Sequence, residues 1–387
     1  MRNGMVLRVI LILAIVVGIN GYIGWHLKVF LSHVGGTSFH PGLYWIVFWL
    51  VALSYLIAWF GSRVLPSSVS RLFKIIGSYW FALIQFGVLL LPLTDLVIAV
   101  LHFASVSPMT YVPILGWIDV VVVLALLLWG SYNARTPVVR KHEITISKQA
   151  GEWKQLRVAV ASDIHLGVIV GNRHLRKLVK QVKAMKPDLI LLPGDVIDDD
   201  IKPFIRYQMG QTMQELQAPL GVYAVLGNHE YHGGHIPAFV EQMEQIGIRV
   251  LMDEVVHVEE RLYLVGRKDK AAEHAAGGRK PLVSLIEGID LAQPIIAMDH
   301  QPYQLDVAAA AGVDVNLSGH THRGQITPNH LFTRRIFELD WGYLRKGNLH
   351  AIVSSGFGTW GPPIRLGSQS EIIELIIHFT SNDREED

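Results

Sequence analysis

Four apolar runs fill most of the N-terminal third of this chain, and they constrain its fold more than any other feature. They extend from about Met5 to Trp25, Leu43 to Val64, Ser78 to Phe103 and Pro113 to Tyr132. A helix needs about 20 consecutive apolar residues to cross the ~30 Å hydrocarbon core of a bilayer, and each run meets that length. Hydrocarbon offers no partners to backbone N–H and C=O groups, so spanning segments must satisfy them internally. Four transmembrane helices are therefore expected within residues 1–132. Trp25, Trp45, Trp80 and Trp129 lie near the ends of the runs, as interfacial aromatic residues do. Arg2 and Arg8 ahead of the first run would also suit a signal peptide, but no small-residue cleavage site is evident and three more runs follow.

Basic residues set the expected orientation. Arg2, Arg8, Arg63, Arg71, Lys74, Arg135, Arg140 and Lys141 share one side of a four-span arrangement, and Lys28 falls on the other. The positive-inside rule then places both termini in the cytoplasm, giving a multi-pass protein of the cell membrane with its soluble part on the cytoplasmic side. Two acids, Asp95 and Asp119, lie within or near the runs. A carboxylate in a membrane costs a few kcal/mol and is a functional candidate by default. The plainer expectation is that Asp119 lies near a membrane surface and that Asp95, beside Pro92 and Thr94, caps a kink.

After the last run the composition becomes that of a soluble protein. The whole chain has 387 residues, a net charge of +1 and no cysteine. Disulfides, thiolate metal ligands and a cysteine nucleophile are excluded, and bulk charge implies no nucleic-acid or acidic partner. Residues 133–156 read as a basic linker that becomes a strand, residues 157–380 as one α/β domain, and 381–387 as a polar tail. Strands are expected at Arg157–Asp163, Leu189–Asp195, Gly221–Gly227, Arg249–Met252, Leu262–Gly266, Pro294–Met298, Val315–Ser318, Ala351–Ser354 and Glu371–His378. Helices are expected at His174–Met185, Ile205–Leu216 and Ile236–Gln245, the first with Leu175, Leu178, Val179, Val182 and Met185 on one face. Arg267–Lys280 reads as a mobile surface loop. A basic row, Arg173, Arg176, Lys177, Lys180, Lys183 and Lys186, suits either a solvated face or attraction to anionic headgroups.

Five short blocks follow apolar strands, where loops on a rigid sheet are free to carry chemistry. They are Asp163-Ile164-His165, Gly194-Asp195, Gly227-Asn228-His229-Glu230, His300, and Gly319-His320-Thr321-His322. Imidazole and carboxylate donors suit Zn, Mn or Fe. Asp163 with His165, and His320 with His322, can each converge on one ion where the chain turns at a strand end. Gly194, Gly227 and Gly319 allow close backbone approach. Alone, each block also fits a turn or a surface pair. Glu230 fits either an orienting hydrogen bond or a solvated acid. His232 and His235 lie near the third block as candidates to line the cleft, while His174, His257, His274, His330, His350 and His378 read as ordinary surface or strand residues.

Taken in order, the five blocks resemble the calcineurin-like metallophosphoesterase superfamily. The stretch Val353-Ser354-Ser355-Gly356-Phe357-Gly358, followed by Pro363-Ile364-Arg365-Leu366, is similar to its bacterial membrane-associated branch, which includes phosphodiesterases like YkuE and YaeI. The resemblance covers nearly all of residues 155–380 and none of the membrane half. It implies a sandwich of two mixed β-sheets flanked by helices, and two divalent metal ions. Asp163, His165 and His322 would hold the first ion, Asn228, His300 and His320 the second, and Asp195 would bridge. His229 would be catalytic, stabilising phosphoryl oxygens or protonating the leaving alkoxide, while a metal-bridging hydroxide attacks phosphorus. The implied activity is phosphate-ester hydrolysis, and the membrane half points to a lipid-linked or headgroup phosphodiester. The alternatives are a nucleotide phosphoesterase with a simple anchor, and a non-catalytic metal-binding membrane sensor. Nucleic acid is not an expected partner, since no groove pattern of aromatic and basic residues is visible.

Overall fold

The apolar runs form helices. In the computed structural model, residues 2–61, 64–275 and 277–380 are described. Arg63, the Arg2 side chain and the 381–387 tail, all used in the expectations above, lie outside the described residues. Helix α1 is Arg2–Gly35, α2 Pro41–Ala52, α3 Ser54–Phe60, α4 Ser67–Phe103 and α5 Pro108–Arg135. At 1.5 Å per residue α1, α4 and α5 are each longer than a bilayer core. The second run is not continuous: α2 and α3 meet at a bend of 57°. The break has a local cause, because Ser54 Oγ donates to the Val51 carbonyl at 2.7 Å and competes with the backbone ladder. Among the described residues there are thus three helices apolar and long enough to span a membrane, or four if the bent pair is one span. Their large side chains are exposed along much of their length, Leu7 at 68% and Leu128 at 64%, as lipid-facing residues are.

Polar groups within this helical unit find partners from other helices. Tyr22 Oη donates to Asp95 at 2.5 Å, and His26 Nε2 lies 3.3 Å from the same carboxylate. Thr94 Oγ1 donates to both oxygens of Asp119, at 2.9 and 3.1 Å. Asp95 therefore reaches α1 rather than serving as a local cap. Its base, His26, is far away in sequence, so no local pattern could reveal it. In hydrocarbon, such interhelical hydrogen bonds hold helices together.

The chain divides into two compact units, residues 1–130 with 361–364, and 131–360 with 365–387. The second unit contains twelve strands: β1 Val138–Ile146, β2 Gln155–Val160, β3 Leu189–Pro193, β4 Val222–Val225, β5 Ile248–Leu251, β6 Glu254–Val258, β7 Leu262–Gly266, β8 Ile295–Met298, β9 Val315–Ser318, β10 Gly342–Lys346, β11 Leu349–Val353 and β12 Glu371–Phe379. They form two six-stranded mixed sheets, ordered β1-β12-β2-β3-β4-β5 and β10-β11-β9-β8-β7-β6. The core between the sheets joins Val158, Leu191 and Leu375 of the first to Leu264, Met298 and Leu317 of the second. Helix α6, Asn172–Met185, covers the outer face of the first sheet. Its five expected apolar positions, Leu175, Leu178, Val179, Val182 and Met185, are all buried.

Three expectations change. The helix expected at 205–216 is two short ones, α7 Ile201–Arg206 and α8 Met209–Met213, because Gln208 between them has φ 51°, outside the helical region. The segment Arg267–Lys280 is not simply a surface loop. Arg267 and Arg279 are buried to about 5% side-chain exposure, and both donate to Asp299 at 2.6 Å. Strands β6 and β10 lay hidden because β10 is half-exposed at one sheet edge and β6 is short and charged at its start. The remaining helices are α9 Asn228–Gly233, α10 Ile236–Gln245, α11 Leu282–Leu285, α12 Leu305–Ala310 and α13 His330–Ile336.

Candidate metal centre

Parallel pairing aims the ends of several strands at one place. Strands β2, β3 and β4 run parallel in one sheet, as do β8 and β9 in the other. Asp163 and His165 follow β2, Asp195 follows β3, Asn228 and His229 follow β4, His300 follows β8, and His320 and His322 follow β9. Turning inward at these ends requires unusual backbone. Asp163, His165, Asp195, His320 and His322 have φ between 48° and 70°, a region that costs non-glycine residues about 1–3 kcal/mol each. Strain concentrated at five neighbouring polar residues marks a site shaped for chemistry rather than for stability. Two glycines make the close approach possible. A Cβ at Gly227 would overlap Asp195 Oδ1, and one at Gly319 would overlap Asp163 Oδ2.

All eight residues picked out by the sequence meet here. In one group His165 Nε2 lies 3.0 Å from His322 Nε2, which is 3.4 Å from Asp163 Oδ1. In the other, Asn228 Oδ1 lies 2.7 Å from His320 Nδ1 and 3.2 Å from His300 Nε2. Asp195 stands between them, its Oδ2 3.1 Å from His300 Nε2 and 3.8 Å from His165 Nε2. His229 is adjacent, its ring edge-on to His165 with centroids 4.6 Å apart. Its Nδ1 lies 2.8 Å from Asp199 Oδ1, and its backbone N–H donates to Asp195 Oδ1 at 2.9 Å.

The electrostatics sort these side chains by role. Burial holds His165 and His320 down at about 3 and His322 well below its ordinary range, so all three are neutral imidazoles with a lone pair to give. Burial pushes Asp163 up to about 6, with His300 opposing and Asp195 adding. Asp195 is held far below the usual carboxylate range, because His300, His165 and His229 outweigh its desolvation. His229 goes the other way: although burial lowers it, Asp199 and Asp195 raise it to about 9, which makes it a cation at neutral pH. His300 is also raised, against its burial, by Asp195. A divalent cation would take over that proton's part, the usual exchange when a metal binds a protonated site.

The donor set fits such cations. Two imidazole nitrogens facing one another at 3.0 Å have converging lone pairs. Asp163, His165 and His322 each bring a donor atom within 4.8 Å of the others, as do Asp195, His300 and His320. The available donors, imidazole nitrogen, carboxylate and amide oxygen, are those of borderline first-row metals.

Three residues that the sequence left ambiguous or without a role support the centre. Glu230 is 1% exposed and accepts the backbone N–H groups of Asp195, Ile197 and Gly227 at 3.1, 3.0 and 2.7 Å. It is not a solvated acid: it ties the turn after β3 to the turn after β4. Arg365 is fully buried, its Nη2 3.1 Å from His322 Nδ1 and also donating to the carbonyls of Gly356 and Gly358. In sequence it stood within the Pro363-Ile364-Arg365-Leu366 stretch that carries the resemblance, with no role attached to it. Glu371, 1% exposed, anchors the same loop by accepting from Ser355 N at 2.7 Å and from Arg140 Nε at 2.6 Å.

Comparison with known proteins gives the geometry a context. Residues 156–324 match the family model described as calcineurin-like phosphoesterase. An uncharacterized metallophosphoesterase of Aquifex aeolicus is 31% identical over 265 residues, 67% of this chain and 99% of that one. A bovine transmembrane protein with metallophosphoesterase domain is 30% identical over 273 residues, and the chain spans 61% of its length. The uncharacterized metallophosphoesterase YkuE of Bacillus subtilis is 24% identical over 266 residues, 62% of this chain and 85% of that one.

Proposed function

We propose, from the premise that this chain belongs to the calcineurin-like metallophosphoesterase family, that it hydrolyses a phosphodiester presented at a membrane, using two divalent cations. Asp163, His165 and His322 would hold one cation, Asn228, His300 and His320 the other, and Asp195 would be shared between them. The observation that carries this reading is the place of Asp195, one carboxylate within 3.8 Å of a histidine from each group. Bound there, divalent cations supply charge neutralisation at the phosphoryl oxygens and acidify water at neutral pH. Mn, Zn and Fe suit the donors.

The chain's own residues do the rest. His229, held protonated by Asp199, donates to a phosphoryl oxygen or to the departing alkoxide. Glu230 fixes the turns that carry Asp195 and Asn228, so donor positions are set before substrate arrives. The long apolar helices confine the enzyme to the bilayer surface, which favours a lipid-linked or headgroup substrate. With the bent α2–α3 pair counted as one span, the basic residues flanking the apolar runs favour a catalytic unit on the cytoplasmic side.

Metal analysis of the full-length protein tests the binuclear reading. After stripping and reloading with Mn or Zn, about two ions per chain are expected, and fewer in Asp195→Asn. One ion per chain, unchanged in the variant, contradicts it.

A further inference from the structure

The rim beside the metal centre carries an apolar and basic patch that the fold does not cover. Leu331, Phe332 and Ile336 on α13 are 55%, 65% and 60% exposed, and Trp360 is 59% exposed. On a helix, Leu331, Phe332, Arg335 and Ile336 share one arc of about 140°, and Arg334 stands beside it. The opposite side is secured, since Thr333 Oγ1 donates to Asp340 at 2.8 Å and Phe337 is buried against the Tyr303 ring.

This rim lies close to the metal ligands. The short turn His322–Gly324 packs so tightly on the start of α13 that a Cβ at Gly324 would overlap the His330 backbone nitrogen. Phe337, at the end of α13, lies 5.9 Å from the His320 ring. Trp360 is held by Gln325, which accepts from its backbone N at 2.9 Å and donates to its backbone O at 2.8 Å.

The same edge is where the chain enters the catalytic unit. Only residues 136 and 137 separate the end of α5 from β1. Asn133 Nδ2 donates to the Arg365 carbonyl at 3.1 Å, and Leu366 N donates to Gln325 O at 2.9 Å. The tether and the exposed patch are thus joined through a few hydrogen bonds within one unit.

We propose that α13 and Trp360 form an interfacial foot, which docks on an anionic bilayer surface and presents the mouth of the metal centre to lipid headgroups. Aliphatic and aromatic side chains enter the headgroup–acyl boundary, and Arg334 and Arg335 meet anionic headgroups. A bilayer is the occupant because the unit is tethered two residues from an apolar helix, at this edge, and because the exposed charges on α13 itself, Arg334 and Arg335, are basic. The proposal deepens the phosphoesterase reading by assigning its substrate to the plane of the membrane.

The chain has no native cysteine, so single labels are clean. Full-length Phe332→Cys carries a polarity-sensitive fluorophore in nanodiscs containing phosphatidylglycerol, with Val283→Cys, 58% exposed on α11, as the reference. The Phe332 label shifts to the blue and is quenched by brominated acyl chains, while the Val283 label stays in water. A Phe332 label as wet as the Val283 label overturns the proposal. So does a label buried in detergent only at high protein concentration, which would mean a second copy covers the patch.

Kinetics give an independent arm. Phe332→Asp lowers kcat/KM about tenfold on a lipid-anchored p-nitrophenyl phosphodiester in the nanodisc, with turnover of soluble bis-p-nitrophenyl phosphate unchanged. Equal loss on both substrates overturns docking. Absence of turnover on both by the wild-type protein strikes the phosphoesterase reading instead, and the label still reports docking.

Discussion

At the scale of single residues, the centre depends on side chains that never touch the reacting atoms. Arg365 is the clearest, a fully buried guanidinium set against His322 and two loop carbonyls. Lysine keeps the charge but cannot reproduce the planar fork. Arg365→Lys is expected to weaken metal affinity roughly 10–100-fold, as loss of residues that orient ligands does. The check is metal titration by calorimetry, with near-ultraviolet circular dichroism to establish that the fold persists; unchanged affinity would refute the assignment. The candidate ligands stood out in sequence because they cluster in short polar blocks after apolar strands, and the fold brings those blocks together. Glu230 and Arg365 did not, because their importance lies in burial, which depends on segments far away in the chain. Asp199 was hidden differently: in the run Asp198-Asp199-Asp200 no residue stands out until His229 is seen 2.8 Å from one of them.

At the scale of elements, helix α6 illustrates how local pattern and tertiary packing divide the work. Its apolar positions fall on one face and were readable from period alone, and the basic row does occupy the exposed side. His174 was read as an ordinary residue, yet its ring packs on Phe357 with centroids 4.3 Å apart and its Nε2 lies 3.2 Å from the Phe357 carbonyl. Burial lowers it to about 4. Between pH 4 and 6.5 the unfolded chain therefore binds a proton that the folded chain refuses. The stability His174 provides is complete above about pH 6.5 and is lost as pH falls toward 4, at up to about 1.4 kcal/mol per unit. Denaturant unfolding followed through the catalytic unit from pH 7 to 4.5 should show this slope, reduced in His174→Gln. An identical slope in the variant would remove His174 as its source. Edge strands were the elements least legible, since β10 alternates exposure without a strong apolar side and β1 begins amid a basic segment.

At the scale of the whole molecule, apolar helices followed by an α/β unit were readable from the residue pattern, while the two mixed sheets came from the family resemblance. What sequence could not give was the pairing of distant partners, such as His26 with Asp95 or Asn133 with the Arg365 loop, because contact order is invisible to local pattern. The central claim is metal-dependent hydrolysis of a phosphate ester by this centre. Full-length protein in nanodiscs, stripped of metal, is to be assayed on bis-p-nitrophenyl phosphate and p-nitrophenyl phosphate with and without added Mn or Zn, beside Asp195→Asn. The account predicts turnover that appears only with metal, favours the diester, and falls at least about 100-fold in the variant. Turnover that is indifferent to metal or to Asp195, or a folded protein that binds no metal at all, would contradict it.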